Sequence, residues 1–117
     1  MEFDFDTFTK VVERCYHENQ NRYTLDDVLF VFREYFKAYE DFTGAVHPFI
    51  RVAQIKSIIS AMPEVKDVLG RKHDINPLEY REMIAQHFVT DYKKCDYNIN
   101  HFFTGVVRAH RLFETRE

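Results

Sequence analysis

Apolar residues return along this chain at intervals of three and four, the spacing that one face of an α-helix presents. The first run is Phe5, Phe8, Val11, Val12, Cys15 and Tyr16, and it predicts a helix from about Thr7 to Glu18. Asp4, Asp6 and Thr7 are each able to accept an unpaired N–H at its start. His17 to Tyr23 is polar and reads as a connector. Leu25, Val28, Leu29, Phe32, Tyr35, Phe36 and Tyr39 then share a face through about Asp41. Thr24 is placed to cap this second helix, Asp26 and Asp27 to offset its dipole, and Gly44 to end it or turn the following loop. Phe30 lies on the other side, towards Glu34 and Lys37, where it is either covered by another helix or meets a partner.

His47 precedes Pro48 and is therefore expected in extended geometry. Val52, Ile55, Ile58, Ile59 and Met62 predict a third helix. Pro63 and Gly70 bracket a short helical turn holding Val65, Val68 and Leu69, and Gly70 to Ile75 reads as loop. Asn76-Pro77-Leu78-Glu79 is a strong start signal, with a capping Asn, a proline at the first helical position and an acid three residues on. The helix it opens is expected to run to about Tyr92 and carries Tyr80, Ile84, Phe88 and Tyr92 on one face.

The last run, Cys95 to Glu114, reads as one amphipathic helix with two well-defined arcs. At 100° per residue, Ile99, Phe102, Phe103, Val106, His110 and Phe113 fall together. His101, Thr104, Arg108 and Arg111 fall opposite, with Lys93 and Lys94 just before them. His110 is then expected inside, as an imidazole bonded to a tyrosine, a carboxylate or a backbone carbonyl. Gly105, in mid-helix, is expected where another backbone comes close. The pattern predicts an all-α fold: a single compact domain over residues 1–117, a bundle of four to five main helices plus a short helical turn, and no strand.

Composition supports this. With only three glycines and three prolines, the chain lacks the turns that a β-sandwich or barrel needs. No apolar run approaches membrane-spanning length, and Met1 is followed at once by acids rather than a secretory leader, so the expected compartment is the cytoplasm. Residues 1–41 carry ten acids against five Lys/Arg, and residues 42–117 nine against eleven. The net charge of −3 disfavours a duplex-wrapping protein, although it leaves room for a local basic patch on nucleic acid.

Catalytic signals are absent. Asp26–Asp27 and Glu79–Glu82 occupy first turns of helices, and Glu40–Asp41 a solvated helix end. The chain has no glycine-rich phosphate loop and no nucleophile motif. Cys15 and Cys95 stand apart and are expected as small buried side chains. His17, His101 and the cysteines lack metal-ligand spacing, so neither a metal nor a cofactor is expected. The best surface candidate is the arc of His101, Thr104, Arg108 and Arg111 with Lys93 and Lys94, and Phe30 comes next.

Two stretches, Tyr35 to Pro48 and Cys95 to Phe102, resemble segments of small proteins of unassigned function encoded by phages and mobile elements of Gram-positive and gut bacteria. The resemblance carries no catalytic motif. It implies a protein that acts by binding host machinery, a host protein or nucleoprotein complex, in its sharpest form as an anti-CRISPR inhibitor of an effector. The alternatives are a DNA-binding or replication accessory domain using the Arg108/Arg111 helix, and an enzyme of unrecognised type.

Overall fold

The structure is a computed structural model that describes residues 4–90 and 95–116. Asp4 starts the first helix, accepting from the Asp6 N–H at 3.1 Å and the Thr7 hydroxyl at 2.8 Å, and α1 spans Phe5–Glu18. α2 spans Leu25–Thr43. The Thr24 hydroxyl accepts from the Asp27 N–H at 3.1 Å while the Asp27 carboxylate accepts from the Thr24 N–H at 3.0 Å, so both orphan donors are met. Gly44 ends α2 at φ +74°, a conformation that costs a side-chain-bearing residue about 1–2 kcal/mol. α3 spans Val52–Ala61, and α4 spans Glu79–Val89. Asn76 makes the expected local bonds, its side-chain oxygen accepting from the Leu78 N–H at 3.0 Å and its own N–H donating to Glu79 at 2.9 Å. α4 nevertheless begins at Glu79, so Pro77 lies in the turn before the helix and not at its first position. Thr90 is already extended, so α4 stops short of the expected end, and Tyr92 lies outside the described residues.

α4 lies between α2 and α6 (Gly105–Arg116), and α1 packs on α3. One continuous core joins them, with Val28, Phe32, Tyr35, Ile59, Met62, Tyr80, Met83, Phe102 and Leu112 all fully or almost fully buried. Tyrosine is used throughout as a pin. The hydroxyls of Tyr16, Tyr23, Tyr35, Tyr80 and Tyr97 donate to the carbonyls of Tyr23, Ile75, Tyr97, Met62 and Thr90 respectively, at 2.5–2.7 Å. Each ring fills core volume while its hydroxyl satisfies a backbone oxygen that helix ends and loops leave unpaired.

The fold is mainly helical, as the periodicity implies, with two corrections. The short helical turn expected between Pro63 and Gly70 is instead a β-hairpin. β1 (Glu64–Lys66) pairs antiparallel with β2 (Lys72–Asp74), Val65 opposite His73. Pro63 therefore terminates α3 rather than opening a new helix, and Gly70, at φ +79°, turns the hairpin. The Asp67 carboxylate organises that turn, accepting from the N–H groups of Leu69 (2.8 Å) and Arg71 (3.0 Å) and lying 2.9 Å from His73 Nε2.

The second correction concerns the terminal helix, which is broken. α5 is a single turn, Ile99–Phe102. Phe103 closes it at φ −84°, ψ 12°, and the carbonyl of Thr104 then accepts the first bond of α6 from the Arg108 N–H at 3.1 Å. Gly105 is thus a first-turn residue. A Cβ there would meet nothing within 4 Å, so it marks no close backbone approach.

Candidate interaction site

The break at Phe103–Thr104 resets the helical phase, and α6 presents its arcs in reverse of the sequence expectation. Arg108 and Arg111 are 4% and 7% exposed. Val106 is 69% exposed and Phe113 lies partly open, while His110 faces solvent rather than the core. The arc of arginines is therefore an internal brace and not a surface.

Arg108 shows why. Its guanidinium donates to the carbonyls of Ala61 and Glu64 (the latter at 3.0 Å) and to the Tyr80 hydroxyl at 3.3 Å, and it lies 5.4 Å from the Phe103 ring centroid. Ala61 is the last residue of α3, where the helix dipole is negative and carbonyls lack helical donors. A cation there offsets the dipole and ties α6 to α3, β1 and α4 at one point. Burial pushes the Tyr80 hydroxyl up to about 12, against the opposing pull of Arg108. Arg111 donates to the Thr90 hydroxyl and pairs with Glu114 at 2.8 Å. At the far end, Arg116 pairs with Glu79 at 2.9 Å and donates to the Asp74 carbonyl at 2.6 Å.

The other expected surface residues do not form one face. His101 is half-buried, with Nδ1 3.2 Å from the Cys95 sulfur. The sulfur also accepts from the Tyr97 N–H at 3.2 Å, a bond made by the turn that holds Tyr97 at φ +56°. Thr104 is exposed and donates to the His101 carbonyl at 3.0 Å. Lys93 and Lys94 lie outside the described residues. Phe30 is partly buried against the core, and the Arg81 guanidinium of α4 sits 5.4 Å from its ring centroid and also reaches Glu34 at 3.4 Å. Of the cysteines, Cys15 is buried as expected, and Cys95 is only half-buried beside an imidazole.

Two histidines are interior. His47 Nε2 accepts from the Ile99 N–H at 3.0 Å and its Nδ1 donates to the Pro48 carbonyl at 2.8 Å, fixing one neutral tautomer. Burial holds His47 below the usual imidazole range, and it takes His87 down to about 4, with the nearby His101 and Arg111 acting in the same direction. Among the described residues no group of three His, Cys, Asp or Glu side chains is arranged to hold a metal ion, and no helix is long and apolar enough to cross a membrane.

What the reversed phase creates is an apolar groove of about 370 Å³ between the hairpin and α6. Val106, Ala109, His110 and Phe113 form one wall, and Lys66, Asp67 and Val68 the other. At the hairpin tip Val68 and Leu69 are 97% and 72% exposed. Phe113 rests edge-on against His73, ring centroids 5.0 Å apart, which closes one end. Sequence reading missed this site because it assigned Val106 and Phe113 to the core and Val68 and Leu69 to a helical turn. The signals that could have located it are Thr104-Gly105, a helix boundary, and the apolar pair beside the turn glycine Gly70. No family model, curated protein or solved structure matches the chain.

Proposed function

We propose that this protein works by binding another macromolecule, a host protein or nucleoprotein complex, through the hairpin–α6 face, and that it is not an enzyme. The observation that carries the reading is the exposed apolar pair of α6, Val106 and Phe113, two turns apart on one face, beside the open Val68–Leu69 tip. Soluble proteins seldom leave such a stripe uncovered along a helix unless something else covers it. Of the acids that could suggest proton-transfer chemistry, Asp27 is engaged in a cap and Glu79 in a cap and an ion pair. The likeness of Tyr35–Pro48 and Cys95–Phe102 to mobile-element proteins directs the reading to host machinery. A DNA-binding role for the terminal helix loses Arg108 and Arg111, the two side chains on which it rested.

The test is affinity capture with wild-type protein and with a Val68→Glu/Val106→Glu variant, followed by titration of the purified captured partner. Saturable binding by the wild type and loss of about ten-fold or more in the variant supports the reading. Equal binding by both moves the site off this face. Steep, salt-dependent binding to nonspecific DNA would favour the nucleic-acid reading instead.

A further inference from the structure

We infer that the hairpin–α6 groove takes an amphipathic segment of a partner protein that presents a large apolar side chain flanked by carboxylates. The inference rests on the binding reading above and adds the chemistry of the occupant. Its first ground is shape. Val106, Ala109 or His110, and Phe113 stand at i, i+3 or i+4, and i+7 on α6, so they line about two turns of one helix face. With Val68 opposite, beside Lys66 and Asp67, they leave a trough with one largely apolar wall and one charged wall, a form into which an amphipathic segment lays apolar anchors on one side and polar groups on the other.

The second ground is charge. The acids around the groove are each met by a cation of the protein itself. Asp67 turns onto His73 and Arg71, Glu64 lies 3.8 Å from Lys72, Asp74 lies 3.5 Å from Arg22, and Glu114 pairs with Arg111. The His73 imidazole, followed by the Arg71 and Leu69 N–H groups, holds the Asp67 carboxyl well below the usual carboxylate range, so it stays ionised and matched. Lys66, on the groove wall and exposed, makes no ion pair among the described residues. The rim thus shows an unmatched cation and no unmatched anion, and complementarity calls for an acidic occupant. A second copy of this chain would instead bring the same unmatched lysine to the same rim.

The experiment uses two fluorescein-labelled peptides of about 14 residues, with Leu and Phe at i, i+3, i+4 and i+7 and either Glu or Lys at the other positions. The Glu peptide should bind wild-type protein at least about ten-fold tighter than the Lys peptide. Val106→Glu should remove that binding, and Lys66→Glu should erase or reverse the preference. Both side chains are exposed, and Val68→Glu at the hairpin tip serves in place of Val106→Glu should the latter fail to fold. Equal binding of the two peptides, no loss in the groove variant, or a dimer in light scattering that Val106→Glu dissolves would each overturn the inference. Loss of partner capture in the Val68→Glu/Val106→Glu variant without charge preference among peptides would leave the binding reading standing and refute only the acidic occupant.

Discussion

Replacing Arg108 with Ala separates the two phases that α6 could adopt. In the structure, the change deletes the donor to the part-buried Ala61 and Glu64 carbonyls and to the buried Tyr80 hydroxyl. A buried acceptor stripped of its partner costs about 1–3 kcal/mol, and the vanished aliphatic stem adds a packing loss. Against this, the variant no longer desolvates a guanidinium, whose Nε finds no acceptor. The net expectation is a destabilisation of about 3–5 kcal/mol, within the range seen when one partner of a buried charged network is removed.

A domain of this length has a total stability of roughly 6–15 kcal/mol, so the variant should be left marginal. Urea unfolding followed by far-UV circular dichroism measures it. With m of about 1–3 kcal/mol/M, the midpoint should fall by more than about 1 M. Val106→Ala, made in parallel, should stay within about 0.5 kcal/mol of wild type because the side chain is exposed. A continuous terminal helix with its arginines outside demands the opposite pair of results. An Arg108→Ala protein of unchanged midpoint beside a destabilised Val106→Ala protein would refute the reversed phase and the groove with it.

Three further outcomes follow from the interior. Phe102 is fully buried against Tyr35, Tyr80 and His87, so Phe102→Ala should cost about 3–5 kcal/mol by urea unfolding, and a neutral result would mean that α5 does not dock as described. His87 titrates near 4 in the folded protein and near 6.5 when unfolded, so the unfolded chain binds the extra proton between those values. Stability should therefore fall as pH drops through that window, by up to about 1.4 kcal/mol per pH unit, with His47 acting in the same sense; urea midpoints flat from pH 7 to 4.5 would contradict it. In native protein one thiol should react with an aromatic disulfide reagent, Cys95, while Cys15, buried and with its thiol pushed up by burial, reacts only on unfolding; Cys95→Ser should abolish the fast phase.

The parts of the fold legible in the sequence are those that local chemistry decides. Thr24 with Asp27, Asn76 with Glu79, and Gly44 mark helix ends by bonds made within three or four residues, and each acts as its residue type implies. The apolar faces of α1 and α2 were readable because those helices run unbroken. The hairpin was harder. Its strands are three residues each, too short for alternation to stand out, and its turn depends on Asp67 gathering donors from Leu69, Arg71 and His73. The arginines expected on the surface are buried for a geometric reason. A helical wheel assumes one continuous phase, and a single non-helical step at Phe103–Thr104 rotates everything after it.

That rotation has a physical logic beyond the break itself. With its apolar arc inward, α6 would bury Val106 and Phe113, worth about 1.5–3 kcal/mol each. It would also carry Arg108 away from the end of α3, leaving the Ala61 and Glu64 carbonyls without this donor, and nothing apolar can replace it. Inward arginines satisfy those oxygens and leave the apolar arc to solvent, where Phe113 is only partly sheltered by His73. The burial energy that the fold forgoes on this face is the same quantity that a docking segment would recover. The brace and the groove are therefore one feature: the donors that lock α6 to α3 and α4 hold its apolar stripe facing out. Substitutions on the Arg108 side should accordingly weaken partner binding through loss of the fold, with reduced midpoints, whereas Val106→Glu should weaken it at unchanged midpoint. A partner whose binding survives Val106→Glu but tracks the unfolding midpoint across Arg108 variants would be held by another surface.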